Sequence, residues 1–219
     1  MTAVKLGEWP VHSPEWFAAR VGRVGGSDVG VLMGWAHHPG EKRWSKSRAE
    51  LMDEKVAELR GTLERPEPEK PWKGARARGH YCEPGIRDWL ADREGIEYDP
   101  SYKGTWVDSE HDWMMVNPDG VTTDGRLVEC KTCDVRTEEF EWGRAGTSKV
   151  PLTYGAQATW SMGILGLGSC LMPVLSGAPK FEYALYKIKF DRIVFSYLRG
   201  NARRFIEEAR RRAELRIVA

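Results

Sequence analysis

The second half of the sequence carries strand and helix signals in a fixed order, and this order restricts the possible folds more than any other feature. Two strand-like segments surround a turn at 123–125 (Thr-Asp-Gly), a pattern typical of a β-hairpin. The predicted elements are, in chain order, strands over 112–116 and 126–132, a helix over 153–165, strands over 169–175 and 181–190, and a helix over 191–215. This order predicts an α/β or α+β fold with a central mixed β-sheet flanked by helices.

The first half of the sequence is dominated by helix signals. The predicted helices cover about 13–20, a segment that opens at Ser27 or Asp28, 47–61 and 75–94. Pro84 lacks a backbone N–H, so the last of these helices is expected to start or kink there. The length of 219 residues suits one domain. We interpret 1–219 as a single domain, in which 40–74 is a charged, helical and proline-rich embellishment.

The overall charge does not identify a partner. Lys and Arg number 33 against 32 Asp and Glu, a net charge of +1. A protein that places an acidic metal site beside a basic groove for nucleic acid also has a net charge near zero. The net charge therefore neither indicates nor excludes a nucleic-acid partner. No apolar run approaches the roughly 18 residues that span a bilayer, and the first ten residues lack the layout of a signal peptide. These features predict a cytoplasmic protein with no membrane partner.

The four cysteines argue against a structural metal or a disulfide framework. They are Cys82, Cys130, Cys133 and Cys170. Without a secretory signal they are expected to be thiols in a reducing compartment. A zinc or iron–sulfur site needs two further thiols at paired spacing beside the pair at 130 and 133, and the other two cysteines do not provide that spacing.

Three charged residues around the predicted hairpin suggest a site for a divalent cation. Asp119 follows the first strand, within the segment 117–120 (Asn-Pro-Asp-Gly), and Glu129 and Lys131 share one face of the second strand because side chains alternate. Two carboxylates with nearby waters suit Mg²⁺, and a lysine beside them can position a water for attack on phosphorus. The same residues could instead form a solvated strand face with cross-strand ion pairs.

With these motifs the sequence resembles the PD-(D/E)XK nuclease superfamily, and within it the phage lambda exonuclease and YqaJ-type viral recombinase family. The resemblance covers nearly the whole chain. The matching motifs are, in order, Trp16-x-x-x-Arg20 with Gly25, Gly26 and Ser27, then Gly79-x-x-x-Glu83, Pro118-Asp119-Gly120, Glu129-x-Lys131 and Tyr154-x-x-Gln157. Asn117, Thr132 and Cys133 depart from the family pattern, which leaves details of DNA contact open. The fold implied is a restriction-endonuclease-like core.

The resemblance also implies a role for each matching residue. Asp119, Glu129 and the Cys130 main-chain carbonyl would bind one or two Mg²⁺ or Mn²⁺ ions, and Glu83 would complete the acidic cluster directly or through water. Lys131 would position the nucleophilic water. The remaining matches are Gln157 and Tyr154, which would order the site, and Arg20 and Ser27, which would bind a DNA 5′-phosphate.

The activity implied is a metal-dependent 5′→3′ exonuclease that degrades one strand of duplex DNA from its ends. Its product would be a 3′ single-stranded overhang for a single-strand annealing protein. The family further implies a homotrimer, encoded by a phage or prophage and acting in the bacterial cytoplasm. Two alternatives stay open: an endonuclease of restriction or repair type, and a non-catalytic module that binds DNA ends.

Overall fold

A computed structural model describes residues 3–35, 46–64, 74–133, 142–177 and 182–215. The helices are α1 (Pro14–Ala18), α2 (Gly26–Leu32), α3 (Arg48–Arg60), α4 (Gly74–Glu94), α5 (Leu152–Leu165) and α6 (Arg192–Glu214), with a 3₁₀ turn at Pro100–Tyr102. The strands are β1 (Ala3–Gly7), β2 (Thr105–Asp108), β3 (Met115–Val116), β4 (Gly120–Val121), β5 (Leu127–Val128), β6 (Lys131–Cys133), β7 (Ser169–Ser176) and β8 (Glu182–Lys189). None of the described helices is long and apolar enough to cross a bilayer.

The central sheet is mixed, as predicted. β7 pairs in parallel with β5 and β6, and antiparallel with β8. β4 extends the sheet by pairing antiparallel with β5. The predicted helices are also present, so the expectation of a mixed sheet flanked by helices is confirmed. Of the predicted embellishment at 40–74, only 46–64 and Gly74 are described.

The strand predicted over 126–132 is interrupted at Glu129 and Cys130. β5 and β6 keep the same register offset against β7, so they are two parts of one interrupted strand. The Glu129 N–H still donates to Leu171 O at 3.1 Å. In a parallel ladder the Glu129 carbonyl would accept from the residue two positions after Leu171 on β7. That residue is Pro173, which has no N–H. The ladder therefore breaks beside the two residues that carry the predicted site.

A second, smaller sheet was not predicted. It has the order β1-β2-β3, with antiparallel pairs throughout. The predicted strand over 112–116 is shortened to β3 because the Met114 N–H donates to His111 O at 2.8 Å and forms a turn. Strands this short carry little periodicity in the sequence, and their pairing with distant segments decides their conformation.

The helix predicted over 75–94 is present, and it does not start at Pro84, which was one of the two effects expected of that proline. α4 begins at Gly74 and runs through Pro84 to Glu94. Ile86 and Leu90, which lie beyond the proline, are fully buried, and burial of these side chains compensates for the missing backbone hydrogen bond. The result is one long helix that carries Glu83 near its middle.

α5 lies at the centre of the molecule and packs against α2, α6 and strands of both sheets. Its residues from Ala156 to Leu165 are almost all buried, including Trp160, Met162 and Ile164. A helix buried on all sides has little freedom to shift. The backbone that carries the polar side chains of its first turns is therefore held in place.

Close packing of α5 against α6 predicts the effect of a methyl group at Gly163. A Cβ there would lie 2.2 Å from the buried Phe195 ring. Gly163→Ala should therefore lower the free energy of unfolding by about 1–3 kcal/mol, although alanine is the better helix former. Gly85 on α4 is the matched control because it is exposed with nothing within 4 Å of a Cβ, and Gly85→Ala should stabilise by about 0.5–1 kcal/mol. Urea denaturation measures both, and equal effects would contradict the packing argument.

Candidate active site

A cavity of about 210 Å³ opens between α4 and the interrupted strand. It is lined by Gly79, Glu83, Ile86, Asp119, Glu129, Cys130, Lys131, Thr132 and Gln157. The structure therefore brings the predicted catalytic residues Glu83, Asp119, Glu129, Lys131 and Gln157 together. They come from α4, the residue just before β4, the interrupted strand and α5, so four separate segments contribute to one site.

Glu129 is the most buried of the carboxylates, with 2% of its surface exposed. Its Oε1 accepts from Lys131 Nζ at 2.6 Å and from Gln157 Nε2. Both donors bond the same oxygen, so Oε2 takes neither of these bonds. Burial raises the pKa of Glu129 to about 7, and the charge of Asp119 adds to the rise while Lys131 opposes it. A carboxylate held this way has one oxygen positioned by the protein and one available to a ligand.

The Asp119 side chain bonds the backbone of the interrupted strand, next to the point where β4 pairs with β5. Its Oδ2 accepts from the Cys130 N–H at 2.8 Å, beyond the point where the β4 backbone pairs with β5. Burial raises the pKa of Asp119, although Lys131 and the Cys130 N–H act against it. The next residue must be glycine because a Cβ at Gly120 would lie 2.9 Å from the ring of Tyr98. The Pro-Asp-Gly motif thus fixes the carboxylate against the interrupted strand.

Lys131 lies between a carboxylate and an aromatic ring. Its ammonium group donates to Glu129 and sits 5.3 Å from the centre of the Tyr154 ring. Burial acts to lower the pKa of Lys131, but Glu129 and Asp119 outweigh burial and raise it. Lys131 is therefore a permanent cation at neutral pH. Tyr154 contacts Lys131 and Gln157 contacts Glu129, so both α5 residues that were expected to order the site reach it.

Glu83 approaches the same cavity from α4. Burial raises the pKa of Glu83 to about 7, and the negative charge of Asp119 adds to the rise. Arg87, one helical turn further on, acts in the opposite direction on both carboxyl groups. Its guanidinium lies 4.5 Å from the centre of the Tyr98 ring. Sequence reasoning missed Arg87; its four-residue spacing from Glu83 on a predicted helix was a usable signal.

The donor set suits a small divalent cation. Burial raises the pKa of Glu83 and of Glu129 to about 7, and a bound divalent cation would offset that burial by favouring their charged forms. Within the described ranges no three His, Cys, Asp or Glu side chains form a group that could hold a metal by themselves. Asp119 and Glu129 supply two carboxylates, and the Cys130 carbonyl is the candidate third ligand. Mg²⁺ prefers a site with few carboxylates, in which water molecules complete the coordination.

A second, smaller cavity of about 70 Å³ lies beside the first. It is lined by Arg20, Gly25, Gly26, Ser27, Met115, Val116, Asn117, Gln157 and Ser161. The Arg20 guanidinium stacks on the Trp16 ring, 4.5 Å from its centre. Arginine, a hydroxyl and the first N–H groups of α2 are donors that suit an anion. We call this cavity the anion pocket; it contains both predicted phosphate-binding residues.

Gln157 lines both cavities. Its Nε2 donates to Glu129 in the first, and its side chain lies against Gly26 in the second, where a Cβ would come within 3.1 Å of Gln157 Cγ. The two sites are therefore separated by the width of one side chain. The glycine-rich turn is needed here for close approach.

The four cysteines, all within the described part of the chain, form no disulfide. Cys133 and Cys170 are buried in the core, while Cys82 and Cys130 are partly buried.

Comparisons with known proteins identify the family and the fold. The family model for the YqaJ-like viral recombinase domain matches residues 15–168. Among curated protein sequences none matches the chain. The fold is similar to that of LHK-Exo, an alkaline exonuclease from Laribacter hongkongensis. Its complex with dAMP gives a TM-score of 0.71 at 22% identity, covering 92% of this chain and 95% of that chain. A phage-related exonuclease from Haemophilus somnus 129PT gives a TM-score of 0.53 at 9% identity, covering 87% and 93%.

Proposed function

Since the chain belongs to the YqaJ-like viral recombinase family, we propose that it is a divalent-cation-dependent 5′→3′ exonuclease that degrades one strand of duplex DNA from its ends. The observation that carries this proposal is the shared wall of the two cavities, formed by Gln157. A phosphate bound in the anion pocket places the neighbouring phosphodiester beside the carboxylates. An enzyme built this way measures its cleavage site from a DNA end.

The catalytic roles follow from the contacts in the first cavity. Asp119, Glu129 and the Cys130 carbonyl would hold Mg²⁺ or Mn²⁺, which supplies Lewis-acid activation of the phosphate when bound. Lys131 is held by Glu129 and Tyr154, so its positive charge stays beside the reacting phosphate. There it stabilises the negative charge that develops in the transition state and orients the attacking water. Glu83 lies on the opposite wall, where it can accept a hydrogen bond from water or serve a second cation.

Gln157 acts by fixing the orientation of Glu129. Its amide donates to the same carboxylate oxygen as Lys131. The two donors together fix the orientation of the carboxylate, and so the direction in which its other oxygen points. Because α5 is buried along most of its length, the backbone that carries this amide is held in place. Gln157 thus orders the cation ligand and separates it from the anion pocket.

The direction of degradation is set by the anion pocket. A terminal phosphate carries close to two negative charges, whereas an internal phosphodiester carries one. The planar Arg20 guanidinium can bond two oxygens of that dianion, while Ser27 and the N–H groups at the start of α2 add donors. A 5′-hydroxyl end leaves these donors without partners.

Arg20→Ala tests this recognition. The wild-type enzyme should degrade 5′-phosphorylated ends roughly ten- to hundred-fold faster than hydroxyl ends. The variant should lose most of that preference and keep its rate on hydroxyl ends. The measurement is the initial rate on linear duplexes that differ only in the 5′ group. Arg23, which donates to the main-chain oxygens of Asp112 and Ala19, is a matched control whose alanine variant should keep the preference. A preference that survives in Arg20→Ala would show that Arg20 only packs on Trp16.

The activity itself is tested with linear and circular duplexes labelled at either end, with Mg²⁺ or with chelator. The proposed enzyme degrades only linear DNA, only with the cation, and removes the 5′ label first. Cutting of circular DNA would identify an endonuclease. Binding of ends without degradation would identify a non-catalytic module.

The finer biological setting is also part of the proposal. A single nuclease domain over 1–219 would leave 3′ single-stranded overhangs, the substrate of a single-strand annealing protein. We propose a homotrimer around the duplex and a phage or prophage origin with action in the bacterial cytoplasm. Sedimentation equilibrium measures the oligomeric state, and a monomer with full activity would remove the trimer from this scheme.

A further inference from the structure

Three buried charged side chains join α3 to the first turn of α2. Lys55 Nζ lies 3.1 Å from Glu58 Oε2 and 3.6 Å from Asp28 Oδ2. All three residues are buried, and Lys55 is only 2% exposed. A buried ion pair often contributes no more stability than apolar side chains of the same volume. Stability alone therefore does not explain why this charge cluster is present.

Asp28 connects this cluster to the anion pocket. Its Oδ2 accepts from the Gly25 N–H at 3.0 Å and so holds the turn that lines the pocket. A Cβ at Gly25 would lie 3.2 Å from Arg20 Nη2 and 3.7 Å from Asp28 Oδ2. The guanidinium and the carboxylate thus flank the same small residue.

The charge of Asp28 is maintained by its surroundings. Burial alone would raise the pKa of Asp28, but the positive charges of Lys55 and Arg20 outweigh burial and lower it. Asp28 therefore attracts the Arg20 guanidinium and fixes the Gly25 N–H. Asp28 does not line the anion pocket, so it acts through those two groups.

We propose that Asp28, held by Lys55, is a positioning residue for recognition of the 5′-terminal phosphate. It keeps Arg20 and the turn at Gly25 in the geometry that the phosphate requires. This inference rests on the proposed function of the anion pocket. It adds a determinant of end specificity that does not touch DNA.

Asp28→Asn is the main test. Asparagine keeps the volume and an oxygen for the Gly25 N–H, and it leaves Lys55 and Glu58 as a balanced pair, so folding should survive. The ratio of initial rates on 5′-phosphorylated and 5′-hydroxyl duplexes should fall about ten-fold, because a small misplacement of a binding group has effects of this order. The rate on hydroxyl ends should stay within about two-fold. Dissociation constants for the same duplexes, measured with Ca²⁺ in place of Mg²⁺, should show the same loss of preference.

Glu58→Gln is the matched control. It removes the same charge from the same buried cluster, but Glu58 does not bond Gly25. Its ratio should equal that of the wild type, whatever its thermal stability. Gly25→Ala provides an independent variant, since its φ of −92° accepts alanine, while a Cβ 3.2 Å from Arg20 Nη2 requires the guanidinium to shift slightly. It should reduce the preference as Asp28→Asn does.

The outcomes separate this inference from the proposed function. A wild-type enzyme without preference for 5′-phosphate would overturn the anion pocket and this inference together. Suppose that the wild type prefers 5′-phosphate and that Arg20→Ala loses this preference, as expected. An unchanged ratio in Asp28→Asn would then overturn the positioning role alone. Equal losses in Asp28→Asn and Glu58→Gln would also overturn it, because they would indicate general loosening of the cluster.

Discussion

Asp119→Asn will reduce DNA hydrolysis by about a thousand-fold or more, which corresponds to about 4 kcal/mol of lost transition-state stabilisation. Asparagine retains an oxygen for the Cys130 N–H, so the turn should keep its shape. It lacks the negative charge that a divalent cation needs. The measurement is the single-turnover rate on a 5′-phosphorylated linear duplex over a range of Mg²⁺ concentrations.

Asp124→Asn is the matched control for this variant. Asp124 belongs to the same hairpin but bonds Thr122 and Arg126 outside the cavity. Its variant should hydrolyse DNA at the wild-type rate. If Asp119→Asn keeps more than about a tenth of the wild-type rate while folded, the cation site is assigned to the wrong carboxylate.

Lys131→Met should lower the turnover rate by about a hundred- to a thousand-fold, because removing one charge aimed at the transition state has effects of this size. Methionine preserves most of the side-chain length but donates no hydrogen bond to Glu129. DNA affinity, measured with Ca²⁺ to prevent hydrolysis, should change little. The larger Ca²⁺ ion is less strict in geometry and should support binding without turnover.

Lys187 provides the control for the lysine experiment. It is about half exposed and pairs with Glu94, and neither residue lines the cavity, so Lys187→Met should hydrolyse DNA normally. A Lys131→Met variant that binds DNA poorly but turns over each bound complex at the normal rate would contradict the assigned role. Lys131 would then be a phosphate clamp.

Part of the candidate site could be predicted because the positions of its side chains are encoded in local spacing. Glu129 and Lys131 were expected on one face of a strand, and they form a hydrogen bond. Tyr154 and Gln157 were expected on one face of a helix, and they contact Lys131 and Glu129 respectively. The motifs in their order also predicted the family, and that prediction is confirmed. Alternation and helical periodicity depend only on nearby residues, so a single sequence reveals them.

The interrupted strand could not be predicted in the same way. Pro173 was visible inside a predicted strand, but its effect depends on which residue lies opposite. That register is set by pairing across more than forty residues of sequence. The same limit applies to the small sheet, whose first strand pairs with a segment about a hundred residues later. Long-range pairing is decided by the whole core, not by the propensity of either segment.

The sequence by itself determined the positions of the helices and of most strands of the central sheet, the family, and most of the side chains that meet in the cavity beside α4. Only the tertiary structure decided that the carboxylate cavity and the anion pocket share Gln157 as a wall. It also decided that the charge of Arg87 acts to lower the pKa of Glu83 and of Asp119, and that Lys55 pairs with Asp28. The physical reason is that local periodicity sets the face on which a side chain lies. The packing of distant elements sets which faces meet, and burial then sets the charges they carry.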